Sequence, residues 1–158
     1  MQKIIPCLWF NGKVQEALDF YTSIFKNSKV SDITRYGEAH PQLAGDILVA
    51  RFELDGQEFM ILNGGAGFPF TEAISLSITC KTQEEIDFYW NALLADGGKE
   101  SQCGWLKDKF GLSWQVSPIE IEAMLKDKNT KKASNVMMAM MQMVKIDLNV
   151  LKEAYAQG

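Results

Sequence analysis

Histidine is nearly missing from this sequence: His40 is the single one in 158 residues. That excludes a metal centre built on two imidazoles. His40 itself, in "EAHPQ", reads as an exposed loop residue beside a proline. Excess positive charge is missing too. Lysine and arginine total 16 against 20 acidic residues, a net charge of −4. No basic face is offered to a phosphate backbone, so nucleic acid is not expected as a partner. The one dense lysine cluster, "KDKNTKK" at 126–132, contains an aspartate and reads as a solvated loop. No apolar run reaches the ~20 residues of a membrane span. The N-terminal "MQKIIPCLWF" has neither the long apolar core nor the small-residue cleavage site of a secretory signal. Paired cysteines are also lacking. Cys7, Cys80 and Cys103 are odd in number and have no CxxC spacing. They read as free thiols of a reducing compartment, which predicts a cytoplasmic location. Finally, "NGGAGFPF" at 63–70 has Phe70 where a dinucleotide-binding pattern needs its last glycine. It also leads toward a strand rather than a helix, so it reads as a linker.

What the sequence does have is a repeat. "QEALDFY" at 15–21 returns as "QEEIDFY" at 83–89, identical at five of seven positions and offset by 68. Each copy follows an apolar stretch with strand character, "KIIPCLWF" (3–10) and "AISLSITC" (73–80). Each opens a helical pattern. Ala17, Leu18, Tyr21, Ile24 and Phe25 share one face, as do Ile86, Tyr89, Trp90, Leu93 and Leu94. Thr82 is the expected N-cap of the second helix, with Glu85 completing a capping box, and "DGG" at 96–98 supplies its stop. Strands are predicted at "KVSDITRYG" (29–37), "DILVARFELDG" (46–56) and "EFMILNGG" (58–65), with a tight hairpin at "LDGQ" (54–57). Three shorter strands fit "KESQCGWLKDKFGLSWQVS" (99–117), turning at "KDKFG". The chain therefore reads as two βαβββ units, 1–66 and 71–118, forming one domain of 1–118, with a helical extension over 119–158. One helix covers one face of a sheet and leaves the other bare. Two such bare faces, curved around a shared cleft, would make the default ligand site.

The doubled pattern with "ALDFYTSIF" resembles the vicinal oxygen chelate superfamily of glyoxalase I, extradiol dioxygenases and bleomycin-resistance proteins. "LNGG" (62–65), "EAISLSI" (72–78), "EIDFYWNALLADGG" (85–98) and above all "CGWLKDKFGLSWQVSP" (103–118) are similar to its PhnB-like branch. That branch goes under a 3-demethylubiquinone-9 3-methyltransferase name. The resemblance covers roughly residues 3–147 and implies an α+β, glyoxalase-like fold. It also implies a divalent metal held by four side chains, from the first and last strands of each unit. Carried onto this chain, those positions fall at Pro6 or Cys7, Ile61 or Leu62, Ser75 or Ile74, and Gln115. None is a histidine or a carboxylate, so no metal and no other cofactor is expected. A glycine loop of the common S-adenosylmethionine kind is also lacking.

The cleft reading selects Trp9, Asn63, Ser75, Cys103, Trp105, Ser113 and Gln115 as ligand-facing residues. The tryptophans would form an aromatic wall. Ser113 and Gln115 share one strand face, and Trp114 and Val116 share the other, toward the helix. Cys103, in "QCGW", is the thiol candidate, since a reactive cysteine needs a cation or helix N-terminus nearby and Lys107 and Lys109 follow it in sequence. Cys7 and Cys80 read as core thiols.

The remaining chain is helical in pattern. Ser117-Pro118 is read as a helix start, followed by helices at 119–127, 133–145 and 148–156. Six of the eight methionines lie within 124–143. A helix so broadly apolar is expected to pack over the protein or a partner, which predicts a homodimer. The favoured function is binding of an unidentified small molecule. The alternatives are an enzyme of the superfamily (methyl-transferring, isomerase or lyase) and a sequestering, resistance-type protein.

Overall fold

A computed structural model of the chain describes residues 2–158. The fold is α+β and divides into two compact units, one ending at Phe70 and one spanning Thr71–Gly158. The first holds β1 (Cys7–Phe10), α1 (Val14–Ile24), β2 (Ser28–Arg35), β3 (Ile47–Leu54) and β4 (Gln57–Asn63). Its sheet runs β1-β4-β3-β2, with β1 parallel to β4 and the other pairs antiparallel. The second holds β5 (Ser75–Cys80), α2 (Gln83–Leu94), β6 (Lys99–Glu100), β7 (Trp105–Lys107) and β8 (Ser113–Pro118). Its sheet runs β5-β8-β7-β6, the same topology moved along by one copy of the repeat.

The repeated heptapeptide does the same job in both units. On α1 it buries Ala17, Leu18 and Tyr21, and on α2 it buries Ile86 with Trp90 and Leu93. These residues recur at helical spacing and meet the inward residues of the adjoining sheet, among them Phe52, Phe59 and Ile61 in the first unit. The two helices start differently. Thr82 Oγ1 accepts the Glu85 amide at 3.3 Å, as a capping box requires, but the Glu85 carboxylate reaches back to the Lys81 amide rather than to Thr82. Before α1 the chain enters through Gly12 and Lys13, both left-handed (φ 68° and 55°). The hairpin at "LDGQ" has Asp55 and Gly56 at φ 48° and 81°, the two positive values that a type I′ turn demands.

The tail departs from its sequence reading in two places. Ser117 and Pro118 do not start a helix; they end β8. Their partners Thr79 and Cys80 continue the parallel ladder, and the Ile119 amide still donates to the Cys80 carbonyl at 2.8 Å. Proline can close a strand, because its missing N–H falls where pairing stops. Helix α3 begins only at Ile121 (Ile121–Leu125). The "KDKNTKK" segment is not loop throughout. Asn129 caps α4 (Thr130–Met141) by accepting the Lys131 and Lys132 amides, so the second half of the cluster is helical. Within the single chain, helix α4 packs over the protein by one side only. Val136 is its buried residue, whereas Met137, Met138 and Met141 are exposed, because α3 and α5 (Leu148–Ala156) cover one stripe of it.

Of the two thiols read as core, Cys7 is exposed at the start of β1, and Cys80 is fully buried. Burial, with the charge of Glu85 adding to it, pushes its pKa from an ordinary 9.0 up to about 11. The folded chain thus holds a proton that the unfolded chain releases between those values, and stability falls as pH rises through that window. Urea midpoints measured from pH 8 to pH 11 are expected to decline less steeply for Cys80→Ala than for the parent chain. Equal slopes would assign the alkaline loss to other groups.

Candidate binding face

Strand pleating sorts the second unit's sheet into two faces. Leu106, Trp114, Val116 and Cys80 are buried on the helix side. The other face is polar and is ordered in rows by the strand register. One row runs Lys99, Lys107, Ser113, Ser75, and the next runs Trp105, Gln115, Ser77. Gln115 Nε2 donates to Ser75 Oγ at 2.8 Å, a diagonal bond that ties β8 to β5. A pocket of about 210 Å³ opens on this face, bordered by Trp105, Lys107, Ser113, Lys99, Ser101, Leu106, Glu100 and Glu72. Ser113 is 1% exposed, and its Oγ has no hydrogen-bond partner among the described residues. Such a group costs free energy unless something else completes it. Glu72 reaches in from the segment before β5, its Oε1 2.5 Å from Lys107 Nζ. The hydrogen bond from Lys107 is the main cause that holds the Glu72 carboxyl below its ordinary range.

The helix side explains why the residues of "KDKFGLSW" stand where they do. Asp108 is buried and is the centre of the turn between β7 and β8. Its Oδ1 accepts the amides of Phe110 (2.9 Å) and Leu112 (3.1 Å), and its Oδ2 accepts the Trp114 indole N–H at 2.9 Å. Gly111 supplies the left-handed corner at φ 87°. This arrangement fixes the register of β8, and so sets which of its side chains meet the pocket. Trp114 belongs to the core, as its strand parity predicts.

Of the residues chosen from sequence, Ser75, Ser113, Trp105 and Gln115 come together on this one face. Cys103 is not on a strand of this face. It occupies a left-handed turn position (φ 58°), and its amide donates to the Met143 carbonyl at 2.8 Å, which ties it to the tail. In the first unit, Trp9 lies on the side of its sheet away from α1, but its own loop covers it. Its indole N–H donates to the Gly65 carbonyl at 2.8 Å, and Phe68 packs edge-on at 4.9 Å. Asn63 shares the parity of Phe59 and Ile61, so it faces the helix side and is 6% exposed. Its Oδ1 accepts the Gly12 amide at 2.8 Å, and its carbonyl accepts the Tyr36 hydroxyl at 2.6 Å. Asn63 therefore pins the entry to α1 rather than presenting an amide to a ligand. Sequence reasoning missed Lys107, Lys99 and Glu72. Lys107 was open to detection, because it alternates with Trp105 on the same short strand.

The four positions that the family resemblance assigns to metal ligands do not fit a divalent ion. Two of them, Ser75 and Gln115, are neutral and bonded to each other. Among the described residues no group of three or more His, Cys, Asp or Glu side chains is placed to hold a metal. No helix among them is long and apolar enough to cross a membrane.

Comparison with known proteins gives a family model and several folds. The model described as 3-demethylubiquinone-9 3-methyltransferase matches residues 2–117. Among solved structures, the chain is similar to a PhnB protein from Bacillus cereus bearing the same methyltransferase description. The identity is 42% and the TM-score 0.68, over 74% of this chain and 99% of that one. A Pseudomonas aeruginosa protein shares the fold at 24% identity and a TM-score of 0.60, over 75% of this chain and 98% of that one. So does the fosfomycin resistance protein FosX from Listeria monocytogenes, at 16% identity and a TM-score of 0.59, over 80% of this chain and 98% of that one. No curated protein matches the chain.

Proposed function

We propose that this chain, which belongs to the 3-demethylubiquinone-9 3-methyltransferase (PhnB-like) family of the vicinal oxygen chelate superfamily, binds a small organic molecule on the polar face of its second sheet. The observation that carries the reading is the partnerless hydroxyl of Ser113 beside the pocket. Trp105 offers the apolar wall, and Gln115 with Ser75 offers an amide and a hydroxyl that can change partners. Binding is favoured over acid–base chemistry because Glu72, the pocket carboxylate with a resolved shift, is held low by Lys107. A general base works best with its pKa raised toward neutrality, and this one is moved the other way. The homodimer belongs to the same reading, supported by the exposed side of α4 at Met137, Met138 and Met141.

Native mass spectrometry of protein purified from its own host tests ligand, metal and assembly together. The expected spectrum is a dimer carrying one small organic adduct per chain, released on unfolding, with no metal. Chains bearing a stoichiometric divalent ion and no organic adduct would overturn the proposal. Gln115→Ala is expected to weaken retention of that adduct by about 1–3 kcal/mol while lowering stability by about 1 kcal/mol or less. A sharp fall in the urea midpoint with the adduct retained would make Gln115 a structural residue.

A further inference from the structure

We infer that the row Lys99–Lys107–Ser113 is a carboxylate site, its Lys107 paired in the free protein with the chain's own Glu72. The inference deepens the binding reading above and rests on it. Its first support is the register. Lys99 and Lys107 stand directly opposite each other across β6 and β7, and like charges so placed destabilise a sheet. An anion shared between the two ammonium groups removes that cost. Lys99 Nζ has no ion-pair partner among the described residues, and Lys107 has Glu72. Glu100 also borders the pocket, but no ion pair joins it to either lysine among the described residues, and its carboxylate accepts the indole N–H of Trp90 at 3.0 Å.

The second support is independent of charge. Ser113 is the next residue in the same row, paired with Lys107 in the register. Its buried hydroxyl lacks a partner. A carboxylate has two oxygens, and a single ammonium contact leaves one of them able to accept a hydroxyl proton. Lys107 and Ser113 are adjacent across the β7–β8 pair, so one group can meet both.

The third support is the group already there. The Glu72 carboxylate is 65% exposed and sits on an outlying loop, yet it ends 2.5 Å from Lys107 Nζ. It stands in for a ligand carboxylate, tethered and weakly held, and an incoming acid displaces it without opening the core. Trp105, two residues before Lys107 on the same face, then meets the ligand's apolar body.

The experiment is a heteronuclear NMR titration of the full ¹⁵N-labelled chain with three probes: benzoate, its neutral isostere benzamide, and inorganic phosphate. Benzoate is expected to shift the amides of Trp105, Lys107 and Ser113 and the Trp105 indole, with benzamide and phosphate at least tenfold weaker. Glu72→Gln removes the tethered competitor and is expected to tighten benzoate by about 2- to 5-fold, the scale of an exposed ion pair. Lys107→Gln, with the rest of its spectrum unchanged, is expected to weaken benzoate by about tenfold. Equal binding of benzamide and benzoate would overturn the carboxylate assignment and leave the small-molecule reading standing. Phosphate binding as tightly as benzoate would overturn it in favour of an unselective anion site. Unchanged benzoate affinity in Glu72→Gln would overturn the competition by Glu72. A pocket that no probe perturbs, in a protein whose native adduct maps elsewhere, would overturn both readings.

Discussion

Asp108→Ala is expected to lower the unfolding free energy by about 3–5 kcal/mol, near the upper end for a single substitution. The carboxylate is 3% exposed and receives the Phe110 amide, the Leu112 amide and the Trp114 indole. Hydrogen bonds to a charged acceptor contribute about 1.5–3 kcal/mol each, and a stranded buried donor costs about 1–3 kcal/mol. The terms do not add in full, because the turn relaxes when its centre is lost. Asp108→Asn keeps the shape and one acceptor oxygen. It meets the two backbone amides with that oxygen and turns its NH₂ toward the indole N–H, donor against donor, so a smaller loss of about 1–3 kcal/mol is expected. Urea unfolding of both variants is the measurement. An alanine variant within about 1 kcal/mol of the parent would show that the β7–β8 turn is held by other contacts. Because the turn sets the register of β8, the alanine variant is also expected to lose benzoate binding, although Asp108 touches no ligand.

The second large effect belongs to Gly104. Its φ is 81°, and a Cβ built there would lie 2.8 Å from the Val116 carbonyl oxygen and 2.9 Å from Ile146 Cγ1. Its amide donates to Val144 and its carbonyl accepts from Val116, each at 2.8 Å, so the backbone is held from both sides. Gly104→Ala therefore pays the left-handed strain of about 1–2 kcal/mol and a backbone clash besides, for an expected total of about 2–4 kcal/mol. Gly111→Ala is the internal comparison. Its φ of 87° is similar, but a Cβ there would meet nothing within 4 Å, so it pays the strain alone. The clash at Gly104 presses on Ile146, which is fully buried in the tail cluster with Met124, Val136 and Leu151. Limited trypsin digestion is expected to cut the Gly104→Ala tail at Lys126, Lys128 or Lys131 well before the parent or Gly111→Ala. Equal digestion rates in all three would mean that the tail is anchored elsewhere.

Much of this architecture is legible in the sequence, and particular residues show why. The repeated heptapeptide fixes two helices of the same facing, and the strands around it follow because each helix needs an apolar sheet to cover. The "LDGQ" turn and the Thr82 cap are local chemistry, settled within four residues. The failures are equally specific. Asn63 follows "FMIL", a run apolar at every position, so alternation could not say which face it joins. Phe59 and Ile61 turned out to be the inward pair. Pro118 has the right identity for a helix start, but its fate was decided by pairing with Cys80, a contact 38 residues away along the chain (118 − 80). Strand β6 is two residues long, too short for any period, and it is what brings Lys99 opposite Lys107. Glu72 lies in the linker, where no pattern foretells which cation a side chain will meet.

The repeat also carries one polar pair twice. Its first copy carries Gln15 and Asp19, which bond each other on the open surface of α1 at 2.9 Å. Its second copy carries the same pair, Gln83 and Asp87, at 3.1 Å. There the pair has a second employment. Gln83 Nε2 also donates to the Ile146 carbonyl at 3.1 Å, its Oε1 accepts the Leu148 amide at 2.8 Å, and Asp87 holds Lys145 at 2.5 Å. The family match stops at residue 117, before every one of those partners. The same two residue types at the same spacing thus do two different jobs, a surface clasp on α1 and the anchorage of the C-terminal helices on α2, without a change of residue at either position.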